Sequence, residues 1–150
     1  MLVDHDQAET ELTSKQQTLA FTILPGTGGE LSLQEVVGNL DLPVAMATAP
    51  DGRIFVTELN QGQIRVVTPT AQLPWQLQAA PFATLPIVSG IEKGVLGLEV
   101  DPNFEVNGYV YVFYIDAGPV SRGVRFTATT SGGDNVSDPG GPVRIVGHLP

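Results

Sequence analysis

The sequence predicts an all-β protein built from four-stranded antiparallel units, and three observations carry that prediction. Gly (17) and Pro (12) are frequent among the 150 residues while charged side chains make up 15%, a balance that suits short strands and tight turns better than a helical bundle. Apolar runs rich in Val, Ile and aromatic residues recur between turn-forming clusters. From residue 44 onward the same order of strands and turns occurs twice, with 50 residues between Asp51 and Asp101.

Residues 1 to about 18 carry Asp4, Asp6, Glu9 and Glu11 against Lys15 and show no apolar period, which reads as a solvated tail or a weak helix within an N-terminal tail over 1–30. Ala20 to Leu24 is a short apolar run closed by Pro25-Gly26-Thr27-Gly28-Gly29, a loop composition. Leu31 to Leu40 alternates in part and is expected to form a leading strand. Val44 to Thr48 is the first strand of the rhythmic region. Ala49-Pro50-Asp51-Gly52 follows, with Pro second and Gly fourth as a tight turn favours. Arg53 to Glu58 is the second strand, Asn60-Gln61-Gly62 the next turn, and Gln63 to Thr68 the third strand. Pro69 to Gln78, with the single Trp75, is a longer connection, and Pro81 to Leu85 the fourth strand.

The second unit repeats this plan. Val95 to Val100 corresponds to the first strand, Tyr109 to Tyr114 to the second, Arg122 to Ala128 to the third and Val143 to Val146 to the fourth. A four-strand unit recurring every 40–50 residues or so is the sequence signature of a β-propeller blade, although a sandwich or a pair of meanders shares the pattern. Propellers close with about four to eight blades. Residues 31–150 are therefore expected to be an incomplete β-propeller: two blades plus a leading strand, the N-terminal part of a larger protein.

Composition also excludes function classes. A net charge of −9 argues against nucleic acid as a partner, because phosphate binding needs a basic footprint. The absence of Cys excludes disulfides and thiolate metal sites. No run reaches the roughly 18 apolar residues of a membrane span, and the first residues lack the basic start and apolar centre of a signal peptide. The chain is thus expected to be either intracellular or an internal piece of something longer.

Few side chains suggest chemistry. His5 and His148 lie outside any nucleophile motif, and no G-x-S-x-G is present. Asp101 to Gly108 places oxygen atoms at alternate positions, but Val106 and Val112 stand where a calcium loop of the EF-hand type requires Gly and Glu; an inter-strand turn is the better reading. The Gly pairs at 28–29, 132–133 and 140–141 lack the strand–helix context of a phosphate cradle, and Asn135-Val136-Ser137 matches a glycosylation sequon. Arg53, Arg65, Arg122 and Arg125 fall in or beside strands, where surface exposure or cross-strand pairing accounts for them. Glu92-Lys93, between Gly90 and Gly94, stand apart because they enter the second unit where a propeller's loops border its central channel.

At this point a family resemblance becomes visible. Leu42 to Ala47, then Ala49-Pro50-Asp51-Gly52-Arg53-Ile54-Phe55-Val56-Thr57-Glu58 and Gly62 to Val67, resembles the opening blade of the glucose/sorbosone dehydrogenases. Glu92-Lys93-Gly94-Val95-Leu96-Gly97-Leu98, Asp101-Pro102-Asn103-Phe104, Asn107 to Tyr111 and Arg125-Phe126-Thr127 follow that family's second blade in order and spacing, as do Gly133-Asp134 and Pro139-Gly140. The resemblance covers about 32–150.

It implies a six-bladed β-propeller, oxidation of a sugar such as an aldose, pyrroloquinoline quinone (PQQ) and calcium as cofactors, and a periplasmic or secreted location. The base in soluble members is a histidine near a His-x-Gly-Gly sequence. His148 lies too early and lacks the Gly pair, so no catalytic residue is assigned and the chain alone is expected to be inactive. Glu92 occupies the place of a channel-facing glutamine in the glucose dehydrogenase branch and is the one cofactor or substrate contact carried over. Arg122-Gly123-Val124-Arg125 and Val143-Arg144-Ile145 depart from the family pattern. The alternatives are a non-catalytic propeller module that binds protein or carbohydrate and, ranked lower, a lactonase-type hydrolase with acidic metal ligands.

Overall fold

A computed structural model describes residues 34–88, 93–129, 133 and 135–146. The expected tail at 1–30 lies outside them. The described chain is all-β apart from one helical turn and forms two antiparallel sheets.

The first sheet contains β1 (Pro43–Thr48), β2 (Ile54–Glu58), β3 (Gln63–Thr68), β4 (Gln76–Leu77) and β5 (Ala83–Thr84). β1, β2 and β3 are consecutive neighbours. The turn between β1 and β2 closes where the Gly52 N–H donates to the Ala49 carbonyl at 2.9 Å, as Pro50 and Gly52 predict. The fourth position is shared: β4 pairs with Val67 and Thr68, and β5 with Gln63 and Ile64, both on the same strand. The long connection expected at Pro69 to Gln78 thus already contains a strand.

The second sheet runs β6 (Val95–Val100), β7 (Tyr109–Ile115), β8 (Ser121–Thr127) and β9 (Val143–Val146), in that order. A helical turn, α1 (Phe104–Asn107), joins β6 to β7 where only a turn was expected. Its end is set by Gly108 at φ 65°, whose N–H returns to the Phe104 carbonyl, a left-handed cap that glycine adopts without steric cost.

Of the leading strand expected over Leu31 to Leu40, the described part, 34–40, contains no strand. Its apolar residues do another job. Val37 and Leu40 fold onto Ile54, Val56 and Val67, with Trp75 and Leu77 beside them, and the Trp75 N–H donates to the Val36 carbonyl at 2.7 Å. Asn39 and Leu42, both at positive φ, interrupt the extended backbone that a ladder would need.

Strand alternation divides β2 between two cores. Ile54 and Val56 face the segment just described, while Phe55 faces the second sheet. All five residues of β2 are buried. Between the sheets Phe55 meets Phe82 and Phe104 edge-on at 5.2 and 5.5 Å, and Phe82 meets Phe126 at 6.0 Å. Each such pair contributes about 0.5–1.5 kcal/mol beyond its area burial. Val95, Val110, Val112 and Val124 complete this core from the second sheet. β1 lies against β6, so the two sheets meet first strand to first strand.

Candidate functional site

Three segments converge at one end of the sheets: the β2–β3 turn, the described ends of the connection from Leu85 to Gly94 (85–88 and 93–94), and the β7–β8 turn. The connection is fastened on both sides. Toward the first sheet, the Leu85 N–H donates to the Gly62 carbonyl at 2.8 Å. Toward the second, Ile87 forms a bridge with Asp116, the Ala117 N–H donates to the Pro86 carbonyl at 3.0 Å, and the Ile115 N–H donates to the Gly94 carbonyl at 2.9 Å.

Gly94 explains how the chain can enter β6 so closely. It sits at φ 108°, and a Cβ there would fall 2.2 Å from the Leu59 carbonyl oxygen. A side chain is excluded by both space and backbone conformation. Lys93 immediately before it is exposed. Glu92, the contact expected from sequence, lies outside the described residues.

The charged groups near this end are organised internally. Glu58, 2% exposed, accepts the Asp41 N–H at 2.9 Å and faces an Arg65 terminal nitrogen at 3.4 Å. Arg65 also donates to the Gln78 carbonyl at 2.9 Å, so the pair ties β2, β3 and the segment before β1 together. Asp116 is held by three donors: the Gly118 and Val120 N–H groups reach one carboxylate oxygen at 2.9 and 3.0 Å, and the Arg122 Nε reaches the other. The Val120 N–H foremost, with Arg122 and Gly118, holds its carboxyl below the ordinary aspartate range despite burial.

At the opposite end Asp51 and Asp101 occupy equivalent positions in the repeat and act alike. Each accepts the N–H two residues on, from Arg53 at 3.0 Å and Asn103 at 2.8 Å. The Asp101 carboxyl also receives the Tyr111 hydroxyl at 2.8 Å. The Asn103 N–H, an Asn107 side-chain contact and the Tyr111 bond lower its pKa. Desolvation pushes Asp51 up, but its bonds to Arg53 outweigh it and leave the pKa lowered.

These contacts bear on calcium. The carboxylates of Asp51, Asp101 and Asp116 already serve donors of their own, and the described residues contain no group of three or more His, Cys, Asp or Glu placed to hold a metal. They do not form a calcium site.

The family model for glucose/sorbosone dehydrogenases matches residues 40–136. The chain belongs to the glucose/sorbosone dehydrogenase family. Its fold is similar to that of the PQQ-bound aldose sugar dehydrogenase of Streptomyces coelicolor, with a TM-score of 0.57 at 21% identity over 73% of this chain and 31% of that one. A putative oxidoreductase (glucose dehydrogenase) of Thermus thermophilus gives 0.55 at 31% identity, over 70% and 30% of the two chains. The Hedgehog-interacting protein of Mus musculus is 35% identical over 89 residues, 56% of this chain and 12% of that protein. The chain therefore spans about a third of these dehydrogenase-like structures and about an eighth of the curated relative.

Membership in the glucose/sorbosone dehydrogenase family, with the similarity of fold, makes the chain part of a β-propeller, here with antiparallel sheets of five and four strands. No described helix is long and apolar enough to cross a membrane. Sequence reasoning picked out the Glu92–Lys93 entry, read Arg122 as a surface or cross-strand residue and Arg144 only as a departure from the family pattern, and passed over Asp116. The available signal was the Asp116-Ala117-Gly118-Pro119-Val120 run, a turn composition headed by an acid.

Proposed function

We propose that this chain forms two blades of a PQQ-dependent propeller that oxidises an aldose or a related sugar, and that its Leu85–Gly94 connection lines the ligand end. The observation that supports this best is the family match over 40–136, together with a connection fastened at Gly62, Ile115 and Asp116.

Bound PQQ would supply the two-electron acceptor for the substrate. Glu92 is the residue of this chain proposed to touch cofactor or sugar. No base is assigned within the chain, and calcium would be held by residues elsewhere in the propeller. The chain by itself is proposed to be inactive, and the whole protein to work in the periplasm or outside the cell.

The test is dye-linked oxidation of aldoses by the 150-residue chain with PQQ and calcium, beside a longer polypeptide carrying the remaining blades. Turnover is expected only from the longer protein, and turnover by the short chain would refute its proposed inactivity. A Glu92→Ala change in the longer protein should weaken PQQ or sugar binding. Unchanged affinity for both would remove Glu92 from the site.

A second reading is favoured by the 35% identity to the Hedgehog-interacting protein: a propeller that binds protein or carbohydrate without catalysis. The coding sequence after Pro150 discriminates. A His followed by a Gly pair supports oxidation, whereas an intact propeller lacking it supports binding.

A further inference from the structure

A crevice of about 360 Å³ opens on the second sheet beside Pro86 of the connection, lined by Pro86, Tyr114, Asp116, Arg122, Val124 and Arg144 among others. By the volume of liquid water, about 30 Å³ per molecule, it holds on the order of ten waters or one small organic ion.

Strand register explains why two arginines meet there. Tyr114 pairs with Arg122 across β7 and β8, and Val124 pairs with Arg144 across β8 and β9. Arg122 and Val124 are two residues apart and share one face of β8. Tyr114 and Val124 belong to the core between the sheets, which puts both arginines beside the buried patch.

The charges do not cancel. Asp116 answers Arg122, and both of its oxygens are occupied by that Nε and two backbone N–H groups. The terminal nitrogens of Arg122 have no hydrogen-bond partner among the described residues. Arg53 and Arg65 pair with Asp51 and Glu58, and Arg125 lies 3.9 Å over the Tyr109 ring. Arg144 alone among the five arginines has neither an ion pair nor a ring contact among the described residues. The Tyr114 hydroxyl likewise has no hydrogen-bond partner among them, and burial raises its pKa, so it remains a donor at neutral pH. In a chain of net charge −9, this is a local surplus of positive charge with planar donor groups.

We propose that the crevice binds a small oxyanion, a carboxylate or a phosphate group, through Arg144, the terminal nitrogens of Arg122 and the Tyr114 hydroxyl. Guanidinium groups suit such ligands because their fork of N–H donors matches two oxygens at once.

The test is a ¹H–¹⁵N NMR titration of the 150-residue chain with inorganic phosphate and, separately, with acetate, each against sodium chloride at matched ionic strength. Saturable shifts at Gly118, Val120 and Arg144 are expected from one or both oxyanions and not from chloride. Saturation by phosphate alone assigns a phosphoryl ligand; by acetate alone, a carboxylate. Arg144 is exposed, so Arg144→Ala and Arg144→Gln should fold normally, and each should weaken binding roughly tenfold or more. Absence of saturation with both anions, an equal response to chloride, or unchanged affinity in the two variants would overturn the proposal.

Discussion

The guanidinium of Arg53 lies 5.2 Å from the centre of the Phe104 ring, joining the first sheet to the helical turn of the second. The same group donates to the Gly133 carbonyl at 3.1 Å and the Asn135 side chain at 3.0 Å, while Asp51 fixes it from its own turn. Arg53 is 8% exposed, so its removal leaves acceptors dry and one carboxylate without its cation. Arg53→Ala should destabilise the chain by about 2–4 kcal/mol, read from the urea midpoint. Arg53→Lys should recover only part of that, since an ammonium lacks the fork. Full recovery by lysine would show that charge alone matters.

Gly94→Ala is expected to lower stability by at least about 2 kcal/mol, because the new methyl meets the Leu59 carbonyl at 2.2 Å in a positive-φ backbone. Gly97→Ala is the control. There the nearest atom is the Phe113 Cβ at 3.3 Å, and a change under about 1 kcal/mol is expected. Thermal unfolding of the two variants side by side checks the order.

Acid should unfold the chain through three aspartates. Asp51, Asp101 and Asp116 each have a folded pKa below the ordinary value. Each therefore contributes stability above the unfolded aspartate pKa, about 3.9, and that contribution disappears as pH falls through the lower folded value. The melting temperature should hold from pH 7 to 5 and drop below pH 4. Asp116→Asn should be less stable at pH 7 and lose less on acidification. Tyr111, raised first by its bond to Asp101, contributes in the opposite sense, below a tyrosine's unfolded pKa of about 10, with the contribution lost as pH rises through the folded value.

The face of the second sheet that points away from the first carries Phe113 between Gly97 and Gly123, with Ile145 and Val146 nearby, around a groove of about 350 Å³. An apolar surface of this kind should bind a dye such as ANS and drive association as concentration rises. Phe113→Asp should reduce both, measured by fluorescence and sedimentation velocity. A monomeric wild type without dye binding would show that this face is already covered.

Strands were legible where alternation and a turn coincided. Gln63–Thr68, Val95–Val100 and Val143–Val146 occur with the bounds expected from sequence, since Asn60-Gln61-Gly62 and Asp101-Pro102-Asn103 mark strand limits chemically. The segment 34–40 misled because burial of Val36, Val37 and Leu40 leaves the same apolar trace whether or not a ladder forms. Cross-strand pairing accounts for Arg65, as expected, whereas the burial of its partner Glu58 beneath the chain before β1 leaves no local signature. The arginine crevice was illegible because Pro86, Arg122 and Arg144 meet only through tertiary register, with no local pattern to announce it.

The split pairing along β3 gives the two sheets unequal exposure to strand addition. Ala79, Ala80 and Pro81 separate β4 from β5, so the outermost row of the first sheet presents no continuous run of hydrogen-bonding groups to an incoming chain, and proline has no N–H to offer. β9 is continuous apart from one register shift at Ile145, and all four of its residues are exposed. Templated growth from this molecule, if provoked by heat or concentration, should start at Val143–Val146, and a proline at Ile145 is the substitution that would stop it.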